Sequence, residues 1–154
     1  MTLTRASIVG AAREYVGTPF QHQGRIRGKA LDCVGLVLCV CEDLGILGAS
    51  HSPESWTRLP EYTTYGPQPL RRVVFDKCME RLVAKGRFDI KPGDVLSLRV
   101  PMEPCHVAIV SERAGVLYMI HAYNGGTEKC VEHVFEVKWQ RRVAGVFSIP
   151  GVED

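Results

Sequence analysis

One cysteine and two histidines in this sequence have the types and spacing of a thiol nucleophile with its base and its orienting group. Cys33 stands where a glycine-rich stretch gives way to a helical apolar pattern, while His106 opens and His121 closes two successive apolar runs. A thiol that attacks a carbonyl needs a base to take its proton, and that base needs a third polar group to fix its tautomer. We therefore predict that Cys33, His106 and His121 fill these three roles in that order.

The position of the cysteine indicates how its reactivity is set. Asp32 is a residue type that commonly caps a helix N-terminus, and the apolar spacing after it continues to Gly45. Cys33 is then the first helical residue, where free N–H groups and the helix dipole favour the thiolate. We expect a lowered pKa at Cys33 and the fastest alkylation among the cysteines. The alternative for a single cysteine is a buried structural thiol.

The two histidines lie on predicted neighbouring strands. Strands are predicted over 105–111 and 116–122, and the link between them is short enough for a hairpin. A residue that enters the first strand of an antiparallel pair lies near one that leaves the second. His106 and His121 should therefore meet at one end of the sheet.

The elements that position these residues predict an α+β fold. A helix is expected from about Thr4 to Val16, a second from Cys33, and a third from Leu70 to Ala84. Strands are expected at 94–100, 105–111, 116–122, 129–135 and 143–149. Helices first and an antiparallel meander afterwards give the α+β class.

Length and patterning predict one domain over residues 1–154. Residues 46–69 are rich in proline and have no clear periodicity, which is typical of a lid, a binding loop or a partner surface. The aromatic side chains of this segment could instead cover the edge of the core.

Composition narrows the class of protein. With 45% hydrophobic and 23% charged residues the chain is typical of soluble globular proteins, and a formal net charge of +2 gives no argument for nucleic-acid binding. No segment has the length of a membrane span, and the first ten residues lack the apolar core of a signal peptide, so we expect synthesis in the cytoplasm and no membrane insertion.

The six cysteines do not have the spacing of a metal site. None forms a C-x-x-C pair, and Cys39 and Cys41 stand two apart on one predicted helix, where side chains do not face each other. We expect reduced thiols, one reactive and the others packed as small apolar groups. Neither a metal nor an organic cofactor is predicted.

Five ordered blocks of the sequence resemble the NlpC-type cell-wall cysteine peptidases, a papain-like family. The blocks are Gly17-Thr18-Pro19-Phe20 with the later Gly24, Asp32-Cys33-Val34-Gly35-Leu36, Pro92-Gly93-Asp94-Val95-Leu96, His106-Val107-Ala108-Ile109 and Ile120-His121-Ala122. The form Thr-Pro-Phe-Gln-His-Gln-Gly over residues 18–24 is most similar to the subgroup encoded with bacteriophage tails and phage-like particles.

This resemblance implies a fold, a substrate and partners. The fold would be papain-like, with the nucleophile helix packed on a C-terminal antiparallel sheet. The substrate would be the peptide stem of bacterial peptidoglycan, commonly cut at a γ-D-glutamyl–diamino-acid bond. The phage-like form implies tail proteins as partners and incorporation into a tail.

The resemblance also implies substrate contacts from Asp32, Phe20 and His22, with three departures from the family. Phe20 stands where members usually have Tyr, Val34 where Ser is frequent, and His22 where Trp is frequent. Two alternatives stay open. One is a papain-like amidase or acyltransferase that acts on another amide, and the other is a non-catalytic module of phage tail assembly.

Overall fold

The computed structural model of the protein describes residues 2–46, 73–102 and 104–154. Its first helix, α1, spans Arg5–Arg13 and begins with a capping box, in which Thr4 and Ser7 exchange side-chain to backbone hydrogen bonds. The chain then leaves the helix through Gly17, whose φ of 92° is in the region that glycine adopts without strain. The helix predicted from Thr4 is therefore confirmed, and it ends earlier than Val16. The proposed loop or insertion at 46–69 lies, apart from Ile46, outside the described residues.

The helix that begins at Cys33 follows a small hairpin. Strands β1 (Arg25–Ile26) and β2 (Ala30–Leu31) pair antiparallel, and α2 then spans Cys33–Asp43. The predicted start of this helix at Cys33 is confirmed. The hairpin was not predicted, because strands of two residues are too short to show a period.

Six strands form one antiparallel sheet. They are β3 (Val83–Lys85), β4 (Val95–Leu98), β5 (His106–Arg113), β6 (Val116–Tyr123), β7 (Lys129–Val134) and β8 (Val143–Ser148). Their order across the sheet is β3-β8-β4-β5-β6-β7. The five predicted strands correspond to β4–β8, and the predicted meander is confirmed for β4–β7. The fifth strand departs from it, because β8 returns to pair with β4 instead of following β7.

The third predicted helix is shorter than its pattern indicated. Helix α3 spans Val73–Arg81, and residues 70–72 lie outside the described part of the chain. The prediction that this helix reaches Ala84 is wrong, because residues 83–85 pair with β8 as strand β3. Hydrogen bonds to a neighbouring strand outweigh local helix propensity here. A short helix, α4 (Val137–Gln140), also escaped prediction.

Both faces of the sheet carry apolar side chains. Between the sheet and the helices lies a helix-side cluster that includes Leu36, Val40, Val107, Ile109 and Ile120. On the opposite face an outer cluster includes Leu96, Ala108, Met119, Trp139 and Val146. Successive residues of a strand point to opposite faces of the sheet. His106 lies two residues before Ala108 and His121 two residues after Met119, so both histidines lie on the outer face. Among the described residues, no helix combines the length and apolarity needed to cross a membrane.

Candidate active site

The first turn of α2 is fixed by the carboxylate of Asp32. Oδ1 of Asp32 accepts hydrogen bonds from the Gly35 backbone N–H at 2.7 Å and from Nη1 of Arg25 at 2.8 Å, and Oδ2 accepts from the Gln23 backbone N–H at 2.7 Å. The side chain is 4% exposed. One buried carboxylate therefore caps the helix and also fixes the preceding loop, which sets the position of Cys33.

Glycine at position 35 permits this loop to lie against the helix. A Cβ atom at Gly35 would lie 2.3 Å from the carbonyl oxygen of Gly24 and 2.8 Å from Nη1 of Arg25. Neither distance is compatible with a side chain unless the loop moves. The Asp-Cys-x-Gly pattern thus reflects a close approach of two backbones beside Cys33.

The thiol of Cys33 lies against the backbone at the start of β5. Backbone N–H groups of Val107 and Val34 donate to its sulfur and lower its pKa, but burial and the nearby charge of Asp32 outweigh them and raise the pKa to about 12. The expectation of a lowered pKa is therefore wrong. The helix start supplies the predicted N–H donors, but the surrounding protein removes the water that would stabilise a thiolate. No hydrogen bond joins Cys33 to His106, both of which belong to the described residues.

The two predicted histidines do meet. Strands β5 and β6 pair in a register that sets Ile109 opposite Ile120, and Nε2 of His106 lies 2.7 Å from Nδ1 of His121. This is a hydrogen-bond distance, and both side chains are buried. Since Val107, the residue after His106, touches the thiol, the sheet brings the three predicted catalytic residues to one end of the hairpin.

A third histidine, His133 on β7, extends the pair and was not predicted. Nε2 of His121 lies 2.8 Å from Nε2 of His133, and Nδ1 of His133 lies 2.9 Å from the carbonyl oxygen of Val134. A signal for it existed in the sequence. His133 lies on the next predicted strand after His121, but its register across the turn could not be read from the pattern.

Aromatic rings surround the histidines. The ring of Tyr123 stacks on His121 at 5.5 Å with an interplanar angle of 15°, and the ring of Trp139 meets His121 edge to face at 5.0 Å. Gly125 makes room for Tyr123, since a Cβ at Gly125 would lie 2.2 Å from that ring. These contacts hold the imidazoles in a site from which water is largely excluded.

This enclosure keeps the imidazoles of His106 and His121 neutral. Burial, together with the charge of Arg142, lowers the pKa of His106 to about 3. Burial and the neighbouring histidines lower the pKa of His121 to about 2. The thiol of Cys33 and both imidazoles are therefore neutral, and one ring nitrogen of the histidine pair is available as a proton acceptor.

The residues expected to contact substrate lie between α1 and α2, in the loop that the Asp32 carboxylate fixes, which we call the capping loop. Nδ1 of His22 lies 3.9 Å from Oδ2 of Asp32, so these two side chains are neighbours. Phe20 is half-buried against the helix-side cluster, and its backbone N–H donates to the carbonyl of Glu128 at 2.8 Å. The polar contacts of Asp32 give it a positioning role, and contact of all three residues with a substrate stays a prediction.

All six cysteines are free thiols, four of them buried. Within residues 2–46, 73–102 and 104–154, no group of three His, Cys, Asp or Glu side chains is arranged to hold a metal ion. The nitrogen atoms that join the three histidines are directed at one another.

Comparison with solved structures identifies the fold. The NlpC/p60 domain of the peptidoglycan hydrolase SagA superposes with a TM-score of 0.60 at 22% identity, over 96% of this chain and 100% of that one. A lipoprotein-like protein of the NLP/P60 family from Staphylococcus aureus subsp. aureus Mu50 gives a TM-score of 0.59 at 15% identity, over 97% of this chain. The match spans 42% of the length of that second protein. No protein-family profile and no curated protein sequence matches the chain.

The fold class predicted from the sequence is therefore confirmed as that of NlpC/p60 domains. Neither of these two structures is described as a phage protein, so the likeness to the phage-tail subgroup rests on residues 18–24 of the sequence alone.

Proposed function

We propose that the protein is a cysteine peptidase that cleaves the peptide stem of bacterial peptidoglycan through Cys33, His106 and His121. The observation that carries this proposal is the buried 2.7 Å contact between His106 and His121, together with the hydrogen bond from the backbone of Val107, the residue after His106, to the thiol of Cys33 at a helix N-terminus. Its occurrence in an NlpC/p60 fold, which the hydrolase SagA shares, supports the same substrate class.

The neutral states of Cys33 and His106 define how the reaction would begin. Because His106 is uncharged, it can accept the proton of Cys33 while the sulfur attacks the carbonyl carbon. The imidazolium formed in this step would be oriented by His121 and would protonate the leaving amine. Water would then attack the thioester with His106 as the base, which releases the carboxylic acid and restores the thiol.

The oxyanion of the tetrahedral intermediate has a donor at the helix start. As the first residue of α2, Cys33 has a backbone N–H without a partner inside the helix. In other enzymes one such donor contributes about 10²–10³ in rate. We assign the same role to the Cys33 N–H here.

The bond and the partners form the finer part of the proposal. The motifs shared with NlpC-type peptidases favour a γ-D-glutamyl–diamino-acid bond, and residues 18–24 favour delivery by phage tail proteins. Cleavage of another amide by the same site is the second candidate function, since nothing in Cys33, His106 and His121 themselves selects the bond.

Digestion of purified peptidoglycan followed by mass spectrometry of the fragments tests the proposal. The wild-type protein should release fragments cut within the stem peptide, and Cys33→Ala should reduce the rate by roughly 10³-fold or more. Cys78→Ala is the matched control, because it removes a thiol from α3 and should leave the products unchanged.

Three outcomes separate the alternatives. Fragments that end at γ-D-glutamate support the proposed bond. Free stem peptides that begin with L-alanine identify an amidase instead. No digestion by a folded wild-type protein, together with binding to a tail protein, would contradict catalysis and favour an assembly module.

A further inference from the structure

We propose that His133 is a positioning residue that sets the tautomer of His121 and thereby leaves Nδ1 of His106 as the proton-accepting nitrogen. This inference rests on the proposed function, in which His106 is the base. It assigns to the edge strand β7 a part in the active site that Cys33, His106 and His121 do not account for.

The direction of the hydrogen bonds is fixed at the outer end. Nδ1 of His133 lies 2.9 Å from the carbonyl oxygen of Val134, and a carbonyl oxygen can only accept. The hydrogen of a neutral His133 is therefore on Nδ1, and its Nε2 carries a lone pair. Because the acceptor belongs to the next residue of β7, the strand backbone itself holds this ring orientation.

The tautomer of His133 also determines the tautomer of His121. Its Nε2 lies 2.8 Å from the unprotonated Nε2 of His133, so Nε2 of His121 must carry the hydrogen. A neutral imidazole has one N–H, and Nδ1 of His121 is consequently an acceptor. At 2.7 Å from it, Nε2 of His106 is then the donor. The lone pair of His106 is left on Nδ1.

The opposite direction would disable the base. If His121 carried its hydrogen on Nδ1, it would donate to Nε2 of His106, and the hydrogen of His106 would move to Nδ1. Two lone pairs would then face each other between His121 and His133 at 2.8 Å, unless His133 carried a second proton. A neutral His133 thus disfavours the inactive arrangement, which is the physical basis of its role.

The surroundings hold His133 in place. Its ring lies 4.9 Å from that of His121 at an interplanar angle of 70°, and 6.0 Å from the ring of Trp139. His133 lies opposite Met119 in the β6–β7 register, while His121 lies opposite Val131, so the two histidines are diagonal neighbours on one face. This geometry comes from the sheet and does not require a substrate.

The test combines a spectroscopic readout with kinetics at a pH of about 8, above the ordinary pKa of histidine. Nitrogen-15 NMR of histidine-labelled protein reports which ring nitrogens carry hydrogen. In the wild-type protein, Nδ1 of His133, Nε2 of His121 and Nε2 of His106 should be the protonated ones. A hydrogen on Nδ1 of His121 in the wild-type protein would overturn the proposal without any activity measurement.

Two variants of His133 separate positioning from a structural contribution. His133→Ala removes the acceptor, so kcat for stem-peptide cleavage should fall about five- to tenfold, the effect of one hydrogen bond, with KM changed less than about twofold. His133→Gln places an amide oxygen near the former Nε2 and should restore kcat to within about twofold. Lys129→Ala, at an exposed position on the same strand, is the control for perturbation of the edge strand.

The outcomes are distinguishable from those of the proposed function. Wild-type tautomers and wild-type kcat in His133→Ala would contradict the inference, and equal losses in the Ala and Gln variants would reduce His133 to a packing residue. A wild-type protein that cleaves no stem peptide would contradict the proposed function instead, while the NMR spectra would still decide the tautomer assignment.

Discussion

At the scale of single residues, the candidate site contains a thiol, Cys33, and an imidazole, His106, that are both neutral. Many cysteine nucleophiles rely on a lowered pKa, whereas here burial raises the pKa of Cys33 to about 12 and lowers that of His106 to about 3. The helix N-terminus alone would have favoured a thiolate, and it is outweighed by desolvation. In the proposed mechanism, proton transfer from Cys33 would therefore wait until a carbonyl group is present to receive the sulfur.

The raised pKa of the Cys33 thiol predicts how its rate of alkylation depends on pH. Cys33 should react with iodoacetamide before the four buried cysteines, since it is partly exposed, and Cys105, which is also partly exposed, is the internal comparison. The rate at Cys33 should keep rising as the pH increases through 9, because the thiol pKa lies above that value. Peptide mapping by mass spectrometry after timed labelling measures both quantities. A rate that is constant between about pH 6 and 9 would instead indicate a preformed thiolate–imidazolium pair.

The orienting residue can be tested by the position of its accepting atom. His121 accepts from His106 through Nδ1, and the amide oxygen of asparagine occupies nearly the same place. We expect His121→Asn to retain kcat within about tenfold, and His121→Ala to lose about 100-fold, as for other partners that orient an active group. Met119→Leu on the same strand conserves volume and is the control for altered packing. Full activity of His121→Ala would leave this residue with a structural role only.

At the scale of elements, the features that depend on local sequence pattern could be predicted from the sequence. The start of α2 at Cys33 and the hairpin that joins His106 to His121 follow from a capping residue, a short link and apolar periods, and the structure confirms them. The strand at 83–85 could not be predicted, because its partner β8 lies about sixty residues later in the chain. The raised thiol pKa escaped prediction for a similar reason, since desolvation depends on how β5 packs over the helix start.

Contact between a helix and a loop is tested at Gly35. An alanine in a helix is ordinarily more stable than glycine by about 0.5–1 kcal/mol, but a Cβ here would lie 2.3 Å from the Gly24 carbonyl oxygen. The clash should dominate, so Gly35→Ala should lower the free energy of unfolding by about 1–3 kcal/mol and reduce kcat as the capping loop shifts. Urea unfolding and stem-peptide kinetics measure the two effects.

Gly10 offers a matched control for this substitution. It also lies within a helix, α1, and nothing lies within 4 Å of a Cβ added there. Gly10→Ala should therefore stabilise the protein by about 0.5–1 kcal/mol and leave kcat unchanged. Equal effects of the two substitutions would show that the close approach at Gly35 has no energetic consequence.

At the scale of the whole molecule, Glu132 joins three elements that surround the site. Its carboxylate accepts from Arg13 of α1 at 3.0 Å, from Ser111 of β5 at 2.7 Å, and from Arg113 at the end of β5. It precedes His133 on β7, so the same strand carries an ionic anchor and the outermost histidine. Although burial opposes it, the hydrogen bonds from Arg113, Arg13 and Ser111 prevail and lower the pKa of Glu132 to about 2.

This lowered pKa predicts an acid-sensitive contribution to folding. Between pH 4.5 and about 2 the carboxylate is ionised in the folded protein and protonated in the unfolded chain, so the unfolded state binds more protons there. The stabilisation is therefore complete above pH 4.5 and is lost as the pH falls towards 2. Glu132→Gln should be less stable than the wild type at pH 7, and the difference should shrink towards zero as the pH falls through about 2, below which both side chains are uncharged. Urea unfolding of both proteins at several pH values measures this difference, in which the acid response of the buried histidines cancels.

Glu80→Gln, which breaks the exposed pair with Lys77, is the control and should cost less than about 1 kcal/mol at each pH. A difference for Glu132→Gln that stays constant from pH 7 to 2 would show that shape, and not charge, is what this residue contributes to joining α1, β5 and β7.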